Sequence, residues 1–159
     1  MTKGMNGIVK KRMTLLVLAL CLMLPAHSAA LALVRSATAV TQPALAGEVF
    51  RQVNMERTKR GLGALRSSAE LNRAARVRAG EITRRFSHTR PDGRAWRTVS
   101  SAAYGENIAM GQRTADKVMA AWMTSSGHRA NILRPSYGCI GVCAVVSGGV
   151  TYWVQLFGK

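Results

Sequence analysis

The C-terminal stretch restricts the possible folds more than any other part of the chain. "CIGVCAVV" and "VTYWVQLFG" are apolar runs rich in β-branched and aromatic residues, separated by Ser147 and a Gly148-Gly149 pair. Such residues suit the pleated surface of a strand, and a glycine pair supplies the positive φ angles of a tight turn. The chain therefore ends in an antiparallel hairpin.

Upstream the apolar period changes from two to about 3.6 residues. In "EVFRQVNMERTKR" the residues Val49, Phe50, Val53 and Arg57 share one side, and Gly61-Leu62-Gly63 closes the segment, which predicts a helix from Gly47. A second helix is predicted in "SAELNRAARVRAGEITRRF", with Leu71, Ala74, Ala75, Arg78 (by its stem), Ala79 and Ile82 inward and Ser67 or Ser68 as cap. A third runs from a Thr114 cap through "ADKVMAAWM", with Val118, Ala121 and Trp122 inward. "SHTRPDGRAW" reads as a turn and "YGENIAM" as a short extended segment. Helices early and strands late predict an α+β domain, and 159 residues leave room for one.

The N-terminus has a different composition. Lys3, Lys10, Lys11 and Arg12 precede the apolar run "TLLVLALCLML", then Pro25 and small residues follow, the pattern of a secretory signal peptide. The run is shorter than the about 20 residues of a bilayer span. Cleavage fits after Ser28, Ala30 or Ala39, and the residues before Cys21 do not resemble a lipoprotein site. The organisation expected is a signal peptide over 1–30, or to 39 with the later cleavage point, a loosely ordered lead-in over 31–46, and a domain over 47–159.

Without residues 1–30 the chain keeps 19 Lys+Arg against 7 Asp+Glu, a formal +12. That charge favours anionic surfaces, above all envelope polymers or lipid headgroups. The arginines are scattered along helical patterns without interleaved aromatics, which speaks against nucleic acid. Cys139 and Cys143 survive processing, yet four residues along a straight strand span about 13 Å, beyond disulfide reach. A bridge would need a bulge or turn at Gly141.

Three histidines are present, and His27 falls in the leader, leaving His88 and His128, both expected in loops beside turn residues. Local physics alone makes His128 the end of a helix, with Gly127 as the stop. Most acids fit helix surfaces or turns, whereas Glu106 does not. Two imidazoles and a carboxylate suit a divalent transition metal such as Zn²⁺ with water, or acid–base work without metal. No H-E-x-x-H, G-x-S-x-G or phosphate-cradling glycine loop occurs, and the cysteines read as strand residues.

"VNMERTKRGLGAL", "FSHTRPDG", "YGENIAMG", "AWMTSSGHRANIL" and "YWVQLFG" follow one another in the order characteristic of the CAP superfamily, the SCP domain. The resemblance covers residues 47–159 and is greatest to the secreted bacterial single-domain branch. It implies a three-layer α-β-α sandwich and a central cavity lined by a His-Glu-Glu-His tetrad. In some members the two histidines bind Zn²⁺ or another divalent cation. By motif His88, Glu106 and His128 match the first His, first Glu and last His. The other Glu is expected three residues after Trp122, where this chain has Ser125. Asn107, Arg129 and Asn131 flank these positions and read as structural.

The resemblance implies a secreted or periplasmic binding module at the cell envelope or outside the cell. Its ligand would be a small lipid, glycan or peptide, and anionic envelope polymers are further partners. The alternative is a divalent-metal-dependent hydrolase in which His88 and His128 hold the ion and Glu106 activates water.

Overall fold

The computed structural model describes residues 38–159. Its elements run β1 (Val40–Thr41), α1 (Pro43–Thr58), β2 (Arg66–Ser67), α2 (Ala69–Ile82), a 3-10 turn (Trp96–Val99), β3 (Gly105–Met110), α3 (Ala115–Thr124), α4 (Ser126–Ile132), β4 (Cys139–Ser147) and β5 (Val150–Gly158). The expected signal peptide over 1–30, its cleavage points after Ser28 and Ala30, and His27 lie outside the described residues, whereas Ala39 is described and directly precedes β1. Among those described, no helix is long and apolar enough to cross a membrane.

The predicted hairpin is the centre of the sheet. β4 and β5 pair antiparallel from Cys139 opposite Gly158 to Ser147 opposite Val150. Gly148 (φ 57°) and Gly149 (φ 77°) both turn in the left-handed region, as a tight hairpin requires. β3 pairs antiparallel with the far side of β5. β1 and β2 share the other side of β4, the first antiparallel at Val145 and Val146, the second parallel at Cys139 and Ile140.

Alternation along β5 explains the layers, since successive side chains point to opposite faces. Trp153 and Phe157 pack with Val49 and Val53 of α1, Val118 and Trp122 of α3, and Ile132 of α4. Val154 and Leu156 pack on the other face with Leu71, Ala75, Ala79 and Ile82 of α2. Helices thus cover both faces of one sheet, the α-β-α sandwich of an α+β domain.

Several local readings change. The expected lead-in is partly structured: its last residues form β1 and open α1, which starts at Pro43 rather than Gly47. Proline at the first helical position forgoes only a hydrogen bond that the helix end lacks anyway, and its fixed φ suits the helix, so it starts the helix instead of interrupting it. Ser68 is the cap of α2, accepting from the Leu71 N–H at 3.2 Å. Thr114 caps α3, with Met119 buried and Ala121 only half-buried. The β4 ladder has no bulge at Gly141, and Cys139 and Cys143 are free thiols.

Candidate functional site

The site gathers round β3, the edge strand. Cross-strand partners share a face, so Glu106, opposite Leu156, points toward α2, while Asn107, opposite Gln155, points toward α3 and α4. Two neighbouring residues thereby serve the two faces of the sheet.

On the α2 side Glu106 is buried and fully engaged. Arg78 Nε donates to Oε2 at 2.7 Å and Nη2 to Oε1 at 3.3 Å, while His88 Nδ1 lies 2.7 Å from Oε1. Arg78 also donates to the Ser87 carbonyl at 2.8 Å and to Glu81, which in turn is held by Arg90 at 2.7 Å. A line of alternating charge results: Arg90, Glu81, Arg78, Glu106, ending on His88. Burial pulls the Arg78 pKa down, but the hydrogen bonds and charges of Glu106 and Glu81 outweigh it, so the net direction is upward. For Glu81 burial acts to raise the pKa and the two guanidinium groups outweigh it, so its carboxyl is held low.

His88 lies on the loop after α2, and its side chain is 55% exposed although its Nδ1 is fixed. A carboxylate only accepts, so Nδ1 donates to Glu106, and Nε2 is the ring nitrogen not committed to it. Glu106 therefore orients His88 as an outer carboxylate orients a working imidazole.

The other face fixes His128. The helix-end reading of His128, and its placement in a loop, are both corrected. Ser125 is at once the last cap of α3 and the first of α4, its N–H bonded to the Ala121 carbonyl and its carbonyl accepting from Arg129. The chain bends there and starts a new helix, so Gly127 and His128 lie in the first turn of α4. A cation at that end is disfavoured by the helix dipole, the reverse of the capping argument. Asn107 Nδ2 donates to the His128 carbonyl at 3.1 Å, and Asn131 Nδ2 to the Glu106 carbonyl at 3.2 Å and to Asn107 Oδ1 at 2.9 Å. These bonds clamp α4 to β3. Burial first, then the neighbouring His88, lower the His128 pKa below 6.5.

His88 and Glu106 are thus in direct contact, while His128 stands on α4 across the strand, tied to β3 through its backbone carbonyl. Ser125 occupies the hinge and, among the described residues, has no hydrogen bond to either histidine or to Glu106. Asn107 and Asn131 have the structural role expected, and Arg129 donates to the Met123 carbonyl at 3.1 Å. Two guanidinium anchors escaped the sequence reading. Arg78 is one. Arg57, buried under α4, is the other, donating to the carbonyls of Gly63, Ile132, Arg134 and Tyr137. Their signal was present: each is a cation at a position where the helical period asks for an apolar residue.

Among the described residues no group of three or more His, Cys, Asp or Glu side chains is assembled for a metal ion. With Glu106 and His88 Nδ1 committed to each other, the donors left are two imidazole nitrogens, one short of the three protein ligands of a catalytic zinc site. Among the described residues, His88 and His128 alone do not make a complete zinc-binding set. Two concavities, of about 300 and 450 Å³, are lined by residues other than His88, Glu106 and His128.

The profile of the CAP (cysteine-rich secretory protein) family matches residues 50–157, and the chain belongs to that family. It is 38% identical over 118 residues to the uncharacterized protein YkwD of Bacillus subtilis, covering 69% of this chain and 45% of that protein. The chain thus spans less than half the length of this curated relative. Among solved structures it resembles an outer surface protein of Borrelia burgdorferi (TM-score 0.66, 17% identity, 77% of this chain and 98% of that one). It resembles equally an SCP-domain extracellular protein of Bacillus anthracis (TM-score 0.66, 21% identity, 74% and 41%). These two likenesses establish the fold.

Proposed function

We propose that the chain is an exported, non-enzymatic binding module, whose site at the β3 edge uses His88 and His128 to engage a lipid, glycan or peptide in the envelope or outside the cell. The observation that carries this reading is the state of Glu106. Both its oxygens are taken, by Arg78 and by His88. A general base must reach the proton it removes, and this carboxylate is turned inward. What faces outward is a pre-oriented imidazole, which suits recognition of a polar group. Export rests on the N-terminal leader and accords with the extracellular relative of known structure.

The competing hydrolase needs a firmly held divalent ion and a free carboxylate. The test is turnover of casein by the purified protein with and without EDTA. It is paired with histidine-imidazole NMR spectra on addition of soluble peptidoglycan fragments, phosphatidylglycerol bicelles or a casein peptide. The expected result is no EDTA-sensitive turnover, and saturable movement of the His88 and His128 signals by one probe, absent from His88→Ala/His128→Ala. Turnover abolished by both EDTA and Glu106→Gln would overturn the binding reading in favour of the hydrolase. Calorimetric titration of Zn²⁺ should show no tight one-to-one site.

A further inference from the structure

The outer side of β4 is covered at two places and open between them. β2 lies against Cys139 and Ile140 and β1 against Val145 and Val146. Among the described residues no strand pairs with this side of the interval, where the Val142 N–H is held by the Asn72 side-chain oxygen of α2 at 3.0 Å and the Ala144 carbonyl accepts from the Gln42 N–H at 2.8 Å. A cavity of about 300 Å³ opens at this gap. Pro43, Ala46 and Phe50 of α1 form one wall and Val142 and Cys143 of β4 another, so its interior is mainly apolar.

One strong charge belongs to this lining. Arg76 of α2 is exposed and has no ion-pair partner among the described residues. The acids of its own helix are occupied elsewhere: Glu70 accepts from the Ser100 hydroxyl, and Glu81 is held by Arg78 and Arg90. Burial pushes the Cys143 thiol up to about 11 while the Arg76 charge pulls the other way, so the guanidinium acts on the apolar wall itself. The groove between α1 and α3 differs, because its Arg51, Lys59 and Arg60 are already paired with Glu48 and Glu56 and its Arg129 donates to the Met123 carbonyl.

We infer that the gap in the β4 edge is a second binding site, separate from the histidines, for a small amphiphile bearing one anionic head on a short apolar body. Arg76 meets the head, a carboxylate or phosphate monoester, and Phe50 with Val142 receives the body. An unpaired guanidinium gains a charge-assisted bond there without breaking an existing one. The volume is at the low end of ordinary small-molecule sites, which run from roughly 300 to 1,000 Å³, so a short body fits. The same head chemistry reaches the site from a free fatty acid or alkyl phosphate, or from a lipid in a bilayer.

The experiment is amide NMR of the purified protein with decanoate, decyl phosphate, decanol and acetate, all below micelle formation, beside co-sedimentation with phosphatidylglycerol vesicles. Decanoate and decyl phosphate should move the Ala46, Val142 and Ala144 signals saturably, and acetate should not. Arg76→Ala should weaken decanoate about tenfold or more, the size of one charge-assisted hydrogen bond, and leave decanol unchanged. Ala46→Phe, at the half-open mouth, should abolish both, while His88→Ala should change neither. Decanoate binding alone assigns the free amphiphile, and vesicle binding lost in both Arg76→Ala and Ala46→Phe assigns a bilayer lipid. Failure of both arms, decanoate binding indifferent to Arg76→Ala, or shifts centred on the α1–α3 groove would overturn the proposal.

Discussion

Arg78 reaches its partners from the middle of a helix face that is otherwise apolar, between Ala74, Ala75, Ala79 and Ile82. A buried ion pair gains little net stability over an apolar pair of the same shape, but removing one partner strands the other charge out of water. Arg78→Met should therefore lower stability by about 3–5 kcal/mol, measured by urea unfolding, whereas Arg78→Met/Glu106→Leu should recover most of the loss. A double variant no better than the single one would show that Glu106 is not the stranded charge. His128 adds a pH dependence of defined sign. Its folded pKa lies below 6.5, so the folded state favours the neutral ring. Its contribution is present above about 6.5 and lost as pH falls through the lower folded value, because the unfolded chain then binds more protons. The urea midpoint should fall between pH 6.5 and 5 in the parent and less in His128→Gln; equal slopes would refute it. At this scale His88, Glu106 and His128 were legible because motif order preserves them. The inward place of Arg78 was legible from the helical period, but its pairing was not, since Glu106 lies 28 residues away.

The α2–β4 contact is decided by a glycine whose partner the sequence does not reveal. A Cβ at Gly141 would stand 2.1 Å from the carbonyl carbon of Leu71 and 2.4 Å from its oxygen. Backbone cannot rotate away as a side chain can, so the helix must lift off the strand. Gly80 of α2 offers a control, because a Cβ there meets nothing within 4 Å. Gly141→Ala should cost about 3 kcal/mol or more, or prevent folding. Gly80→Ala should stabilise by about 0.5–1 kcal/mol through helix propensity, both read from thermal or urea unfolding. A tolerated Gly141→Ala would mean that α2 is not fixed at that distance. The sequence reading placed a possible bulge at Gly141, since a glycine in a strand signals either a kink or a close approach and only the partner decides. The hairpin, α2, α3 and their serine and threonine caps were legible because their determinants are local. The restart of the helix at Ser126 was not, because clamping by Asn107, Asn131 and Arg57 outweighs the Gly127 signal.

Over the whole molecule two features set how the protein meets its surroundings: free thiols and unbalanced charge. Cys139 and Cys143 lie four apart on an unbulged strand, so the fold depends on two apolar cores rather than a covalent staple. The unfolding midpoint should be the same with and without reductant, and a fall on reduction would reveal a bridge. Glu48, Glu56, Glu81, Asp92 and Glu106 each pair with a nearby arginine, while Glu70 and Asp116 hydrogen-bond Ser100 and Gln52. Arg73, Arg84, Arg85 and Arg97 remain exposed with no ion pair among the described residues; Arg73 lies on the side of α2 away from the sheet and Arg84 in the turn just past its end. Such a field draws anionic polymers over a Debye length of about 10 Å at 0.1 M salt and about 3 Å at 1 M. Binding to a soluble polyphosphate should therefore weaken steeply as salt rises. Arg73→Glu/Arg84→Glu should reduce it at low salt far more than at high salt, while His88→Ala leaves it unchanged. Equal loss at both salt levels, or loss in His88→Ala, would assign the polymer to the site at β3 instead of to the charged exterior of α2.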